Sequence, residues 1–160
     1  MAYKGIQKIV SGGQTGGDQG GLAAGLTLGL ETGGWAPKGW LTNVGSAKEL
    51  LQALGLREFP RKGYPPRTRA NVRDSDGTVI FGNPSSRGCS LTARTAREMN
   101  KPVYTLVATN MRGDYSHHIE PFRAWLEAHG IEVLNVAGNR ESLMPGLAQF
   151  THDFLVRALS

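Results

Sequence analysis

At 160 residues, with 39% hydrophobic and 19% charged side chains, the chain is long enough to bury a substantial core and too apolar for global disorder. Its net charge of +5 favours anionic partners, whether a phosphorylated metabolite, an oxyanion or nucleic acid, without choosing among them. A single cysteine, Cys89, excludes an internal disulfide. The polar N-terminus lacks a secretory signal and no long apolar run is present, so a soluble, cytoplasmic protein with no membrane contact is expected.

Strand-like and helix-like segments alternate along the chain. Ile6–Val10 reads as a first strand, and Gly20 to Leu30 as a helix with Leu22, Leu26 and Leu30 on one stripe. A short strand follows at 32–35, and Ser46-Ala-Lys-Glu49 reads as a capping box opening a helix that ends near Gly55. The segment from Arg57 to Arg73 is rich in Pro and Arg and shows little periodicity beyond a turn of helix at its end. Then come a buried strand at 78–81, a helix at 91–99, a strand at 103–107, an amphipathic helix at 119–129, a strand at 131–136 and a last helix from about Met144 to Leu159. This spacing predicts a single α/β domain over residues 1–160, a Rossmann-like three-layer α/β/α sandwich with a mostly parallel sheet of about five to seven strands. Ligands of such sheets sit at the carboxyl ends of the strands, which gathers the loops after residues 10, 35, 81, 107 and 136 on one edge.

The most informative stretch lies on that edge. Residues 11–21, SGGQTGGDQGG, join the first strand to the first helix, and 14 of the chain's 22 glycines fall within its first 55 residues. A glycine-packed turn at a helix start lets backbone N–H groups approach an anion, so Ser11, Gly12, Gly13, Gln14, Thr15, Gly16, Gly17, Asp18 and Gln19 are expected to cradle a phosphate or similar oxyanion. Neither G-x-G-x-x-G nor a Walker A lysine is present. Asp18 is unusual there, since a carboxylate repels phosphate; it suits hydrogen bonding to a ribose or ring, a metal, or a helix cap. Gly17, Gly21, Gly25 and Gly29 recur at every fourth position and predict one closely packed helix face.

Other candidates fall on the same edge. Lys38, in WAPKG, is placed to meet a phosphate, and Arg69 with Asn71 closes the densest basic run of the chain. Asp76 and Gly77 precede the buried strand; Asp74 and Asp76 are expected to pair with arginines. After that strand, GNPSSRGCSLT forms a second candidate cradle through Gly88, Ser90 and Thr92, with Cys89 a small packed residue rather than a nucleophile. Asn135, Gly138 and Arg140 follow the last strand, where Glu141 and Ser142 also suit a helix cap. The four histidines lack ligand spacing, so no metal site is assigned.

SGGQTGGDQGGLAAG, GGWAPKG, TRANVRDSDGTVIFG, GCSLTA and LNVAGNRES together resemble the family named "putative molybdenum carrier", in matching order over nearly the whole chain. That family is related to lysine-decarboxylase-like, cytokinin-activating nucleotide hydrolases and to DNA-processing single-strand binders. The resemblance implies a Rossmann-like fold, molybdenum cofactor (a phosphorylated pterin) as ligand, and a homodimer or homotetramer. The hydrolases carry PGG-x-GT-x-x-E with a catalytic glutamate, whereas this chain has SGGQTGGDQ, with Asp18 or Gln19 near that position. The leading expectation is therefore a carrier of a phosphorylated nucleotide-like or pterin ligand. The rival is an N-glycosidase acting on nucleoside 5′-monophosphates, in which Asp18 would be catalytic and stabilise the oxocarbenium-like transition state. A third reading, single-stranded DNA binding through the basic run, is disfavoured by its thin aromatic content.

Overall fold

The computed structural model describes residues 3–160. Its elements are β1 (Lys8–Val10), α1 (Gly17–Leu28), β2 (Glu31–Ala36), β3 (Leu41–Thr42), β4 (Gly45–Ser46), α2 (Lys48–Ala53), β5 (Leu56–Glu58), α3 (Tyr64–Arg73), β6 (Gly77–Gly82), α4 (Arg87–Glu98), β7 (Val103–Val107), α5 (Ile119–Ala128), β8 (Val133–Gly138) and α6 (Leu147–Leu159). Six strands form one sheet in the order β5-β2-β1-β8-β6-β7, and every neighbouring pair is parallel. The fold is the expected Rossmann-like α/β/α sandwich. β3 and β4 form a separate small antiparallel hairpin.

Alternating side chains of the central strands feed the two faces, as strand geometry requires. Val79 and Phe81 on β6, with Leu134 and Val136 on β8, join the main core against Phe122 and Leu126 of α5 and Phe154 and Leu155 of α6. Ile80, between them in sequence, packs instead with Cys89 and Ala93 of α4. Since all strands are parallel, their carboxyl ends share one edge, where β1, β6 and β8 release their loops side by side. β8 is last in the chain yet lies at the sheet centre, between β1 and β6.

Four local outcomes differ from the sequence reading. The capping box at Ser46 does not form: Ser46 pairs with Leu41 in the hairpin, and α2 starts at Lys48 with no side-chain cap. Leu26 is exposed, because α1 packs through its glycines rather than a leucine stripe. A Cβ on Gly17 would lie 2.8 Å from Gly138 Cα, one on Gly21 2.5 Å from Val136, and one on Gly25 2.7 Å from Thr32. Residues 56–58 form an edge strand beside β2. Finally, the Pro- and Arg-rich segment contains a full helix, α3, whose prolines sit in its first turn, where the ring costs no hydrogen bond.

Candidate functional site

A cleft of about 560 Å³ opens at the carboxyl edge of the sheet, between α3, the start of α4 and the loops that follow β1 and β8. The helical period of α3 decides which of its residues reach it. Tyr64, Arg67, Thr68 and Asn71 fall at i, i+3, i+4 and i+7 and line the cleft. The neighbouring cations point elsewhere: Arg69 pairs with Glu98 at 3.6 Å, Arg73 with Asp74 at 2.8 Å, Arg57 stacks on Trp35 and Arg61 on Phe59.

Arg67 is the exceptional side chain. It is only 7% exposed, its guanidinium lies 5.2 Å from the Tyr64 ring centroid, and its Nε is buried without a hydrogen-bond partner. Burial works against its positive charge, and the Asp18 carboxylate works in its favour. Across the cleft, α4 presents its N-terminus, capped by Ser86 in extended conformation. The Ser86 hydroxyl is also buried, with the Cys89 thiol as its neighbour, and space is open above Gly88. Free N–H groups and the positive end of the helix dipole therefore face the buried guanidinium.

Several N–H groups of the glycine loop are spent inside the protein: Gly13 donates to Ser11 Oγ (3.1 Å), Gln14 to Asp18 Oδ2 (3.3 Å), Thr15 to Gln14 Oε1 (3.0 Å) and Gly17 to the Asn139 carbonyl (3.0 Å). Gln14 also accepts from the Asn43 N–H at 2.9 Å, tying the loop to the hairpin. Thr15 accepts from the Glu141 N–H at 3.2 Å, and Gln19 donates to the Gly13 carbonyl at 3.1 Å. Gly16 and Gly17 lie hard against the backbone at 138–141. Only Gly12, Gln14 and Asp18 of this stretch line the cleft.

Asp18 takes the position that an external anion would occupy. It is buried in the first turn of α1, and burial pushes its carboxyl up to about 6, against the opposing pull of Arg67 and the N–H groups of Gln14, Gly138 and Gly12. A Cβ on Gly12 would meet Arg67 Nη1 at 1.6 Å and Asp18 Oδ2 at 3.1 Å, so only glycine lets the two charged groups converge there. They do so without a direct ion pair.

Of the remaining candidates, Gly88, Thr92, Asn135, Gly138 and Arg140 line the cleft. Asn71 is spent on structure, accepting from the Trp35 N–H at 2.8 Å and donating to its carbonyl at 3.1 Å. Asn135 donates to Thr78 Oγ1 at 3.2 Å, and Thr92 to the Gly88 carbonyl at 3.0 Å. Lys38 and Ser90 are exposed outside the cleft. Asp76 and Gly77 lie at the amino ends of the strands, on the opposite edge. There Asp76 accepts from the Glu132 and Val133 N–H groups rather than pairing with an arginine. Glu141 caps α6 through the Gly146 and Ala148 N–H groups. Burial raises the Cys89 thiol, which keeps it protonated and poorly nucleophilic. Sequence reasoning missed Arg67, Tyr64, Thr68 and Ser86. For the three on α3 the signal was present in the i, i+3, i+4, i+7 spacing that runs from Tyr64 across the Pro-Pro pair to Asn71; Ser86 lies outside that helix and carried no such signal.

Residues 9–159 match the model of the circularly permutated YpsA SLOG family. The chain belongs to that family. A crystal structure of a "putative molybdenum carrier protein" from Syntrophus aciditrophicus SB is similar to this family member at 36% identity and a TM-score of 0.89, over 98% of this chain and 96% of that one. Among curated proteins no relative matches. Among the described residues, no helix is long and apolar enough to cross a membrane.

Proposed function

We propose that this SLOG-family protein binds a phosphorylated small molecule with a flat heterocycle, a nucleotide or pterin, in the cleft at the carboxyl edge of its sheet. The observation that carries this reading is the buried guanidinium of Arg67, whose Nε has no hydrogen-bond partner, lining one cleft with the N-terminus of α4. A buried cation with an unpaired donor is costly, and an oxyanion would supply the missing acceptor in forked geometry. Gly88, the Ser86 hydroxyl and the first N–H groups of α4 complete the phosphate seat. Leu91, Leu143 and Tyr64 offer apolar and aromatic surface for a ring. The name of the similar crystal structure points to a molybdenum-bearing ligand, and molybdenum cofactor fits the chemistry as cargo. Calorimetric titration with molybdopterin and nucleoside monophosphates is the test, together with mass spectrometry of small molecules retained by the native protein. Saturable binding that is lost in Arg67→Ala supports the reading; no binding of any phosphorylated ligand at millimolar concentration overturns it.

A second reading, cleavage of a nucleoside 5′-monophosphate at its N-glycosidic bond, is favoured by one observation. Asp18 is a buried carboxylate with a perturbed pKa in the same cleft, the pattern of an acid–base or cation-stabilising group. Release of free base from AMP, abolished in Asp18→Asn, would favour the hydrolase over the carrier.

A further inference from the structure

The arrangement of Asp18 and Arg67 about Gly12 places an acceptor-only group beside the seat of an anion. The glycine loop holds that carboxylate in place, since the Gln14 N–H donates to Oδ2 and the Gly12 and Gly138 N–H groups favour its charge. Arg67 reaches the same point from α3, within 1.6 Å of where a Gly12 Cβ would stand. An oxyanion drawn onto this guanidinium therefore arrives next to Asp18 Oδ2. A fully deprotonated anion meets a like charge and two sets of lone pairs, which repel. An anion that carries a hydroxyl proton instead donates it in a short, charge-assisted O–H···O⁻ hydrogen bond.

We propose that Asp18 makes this seat selective for oxyanions that carry a proton, namely phosphate and protonated phosphomonoesters, over fully deprotonated sulfate and molybdate. The inference deepens the phosphate-binding reading and rests on it. Phosphate retains a proton near neutral pH and binds as it stands. A phosphomonoester, with its second ionisation near pH 6, enters with the uptake of one proton, which it then shares with Asp18. Free molybdate has no proton to share, so any molybdenum carried here would be held through a phosphorylated organic ligand.

The test uses the full chain and two inorganic probes, phosphate and sulfate, titrated by calorimetry at pH 7.5 and constant ionic strength. Phosphate is expected to bind at least about tenfold more tightly than sulfate, the fold-change worth one charged hydrogen bond. In Asp18→Asn the amide donates to either anion, and the gap is expected to close to within about threefold. Equal affinities in the unmodified protein, or an unchanged gap in Asp18→Asn, overturn the selectivity while leaving the anion seat standing. Binding of neither anion overturns the phosphate-binding reading itself. Should Asp18→Asn fail to fold, the unmodified protein at pH 5 decides the matter. The charged or titratable groups sharing the cleft with Asp18 are Arg67 and Tyr64 of α3, Arg87 and Cys89 of α4, and Arg140 beyond β8. Sulfate keeps both charges at the two pH values and burial raises the thiol, so sulfate binding more tightly at pH 5 than at pH 7.5 reports protonation of Asp18. A sulfate affinity that stays constant between pH 7.5 and pH 5 overturns the proposal.

Discussion

Asp18 and Arg67 face each other across Gly12, both buried in one cleft, and form no direct ion pair. Two opposite charges at this separation inside a protein stabilise one another only in part, because each has also lost its water. The native state therefore carries a local cost at this cleft, a pattern common where function rather than stability has set the residues.

Arg67→Met is expected to abolish phosphate binding and to lower the melting temperature at neutral pH, less so at pH 4. The substitution keeps the apolar stem but leaves the buried Asp18 carboxylate without the cation that offsets it, a cost that vanishes once Asp18 is protonated. Arg69→Ala, only two residues away, removes an exposed pair with Glu98 and should change stability by less than about 1 kcal/mol and binding not at all. Calorimetry and thermal melts on the two variants check both halves.

The pH dependence of stability should carry a signature of Asp18 opposite to that of most carboxylates. Its folded-state pKa of about 6 lies above the ordinary value of 3.8, so between these values the native state holds the extra proton. The stabilisation is full below about pH 4 and is lost as pH rises through 6, by about 3 kcal/mol in all. Asp74, Asp114 and Asp153 shift the other way. Urea denaturation of Asp18→Asn against the unmodified protein isolates the contribution: the variant should gain in relative stability from pH 4 to pH 7.

Gly16→Ala should destabilise the fold by several kcal/mol. The residue has φ near +82°, and its Cβ would stand 2.2 Å from the Asn139 carbonyl oxygen, backbone that cannot yield without moving β8. Gly29→Ala shares the left-handed conformation, at φ near +71°, but meets nothing within 4 Å. It should cost only the conformational strain, about 1–2 kcal/mol. Chemical denaturation of the two variants separates conformation from contact.

Asn71→Ala and Asp76→Ala should behave differently although both lose side-chain to backbone hydrogen bonds. Asn71 joins α3 to β2 beside the cleft, so its loss should cost about 1–3 kcal/mol and also weaken ligand binding by loosening Arg67. Asp76 acts at the opposite edge of the sheet, so a comparable loss of stability should leave affinity intact. Paired melts and titrations distinguish the two.

The alternation of elements, the parallel sheet and the close packing of Gly17, Gly21 and Gly25 on one face of α1 were legible in the sequence, whereas Gly29, expected on that face, ends the helix in left-handed conformation with nothing within 4 Å. Each follows from periodicity or from glycine spacing, which are properties of local chain. Gly88, Thr92, Gly138 and Arg140 were legible as cleft residues for the same reason, since loops after parallel strands must share an edge. Asp76 and Gly77 were misplaced because a residue just before a strand begins lies at that strand's amino end, opposite the ligand edge. α3 was obscured by its prolines, which read as loop until their place in the first helical turn is known.

What the sequence determined by itself, then, is a glycine-rich strand–helix turn and a cluster of arginines, local features written in residue type and spacing. Only the tertiary structure decided which arginine turns inward and which anion the glycine loop serves. Two residues, about half a turn of α3, separate the buried Arg67 from the solvated Arg69, and a carboxylate four residues downstream of Gln14 takes that residue's N–H group before any ligand can. Hydrogen-bond donors go to the nearest buried acceptor, and nearness in space is fixed by packing rather than by sequence.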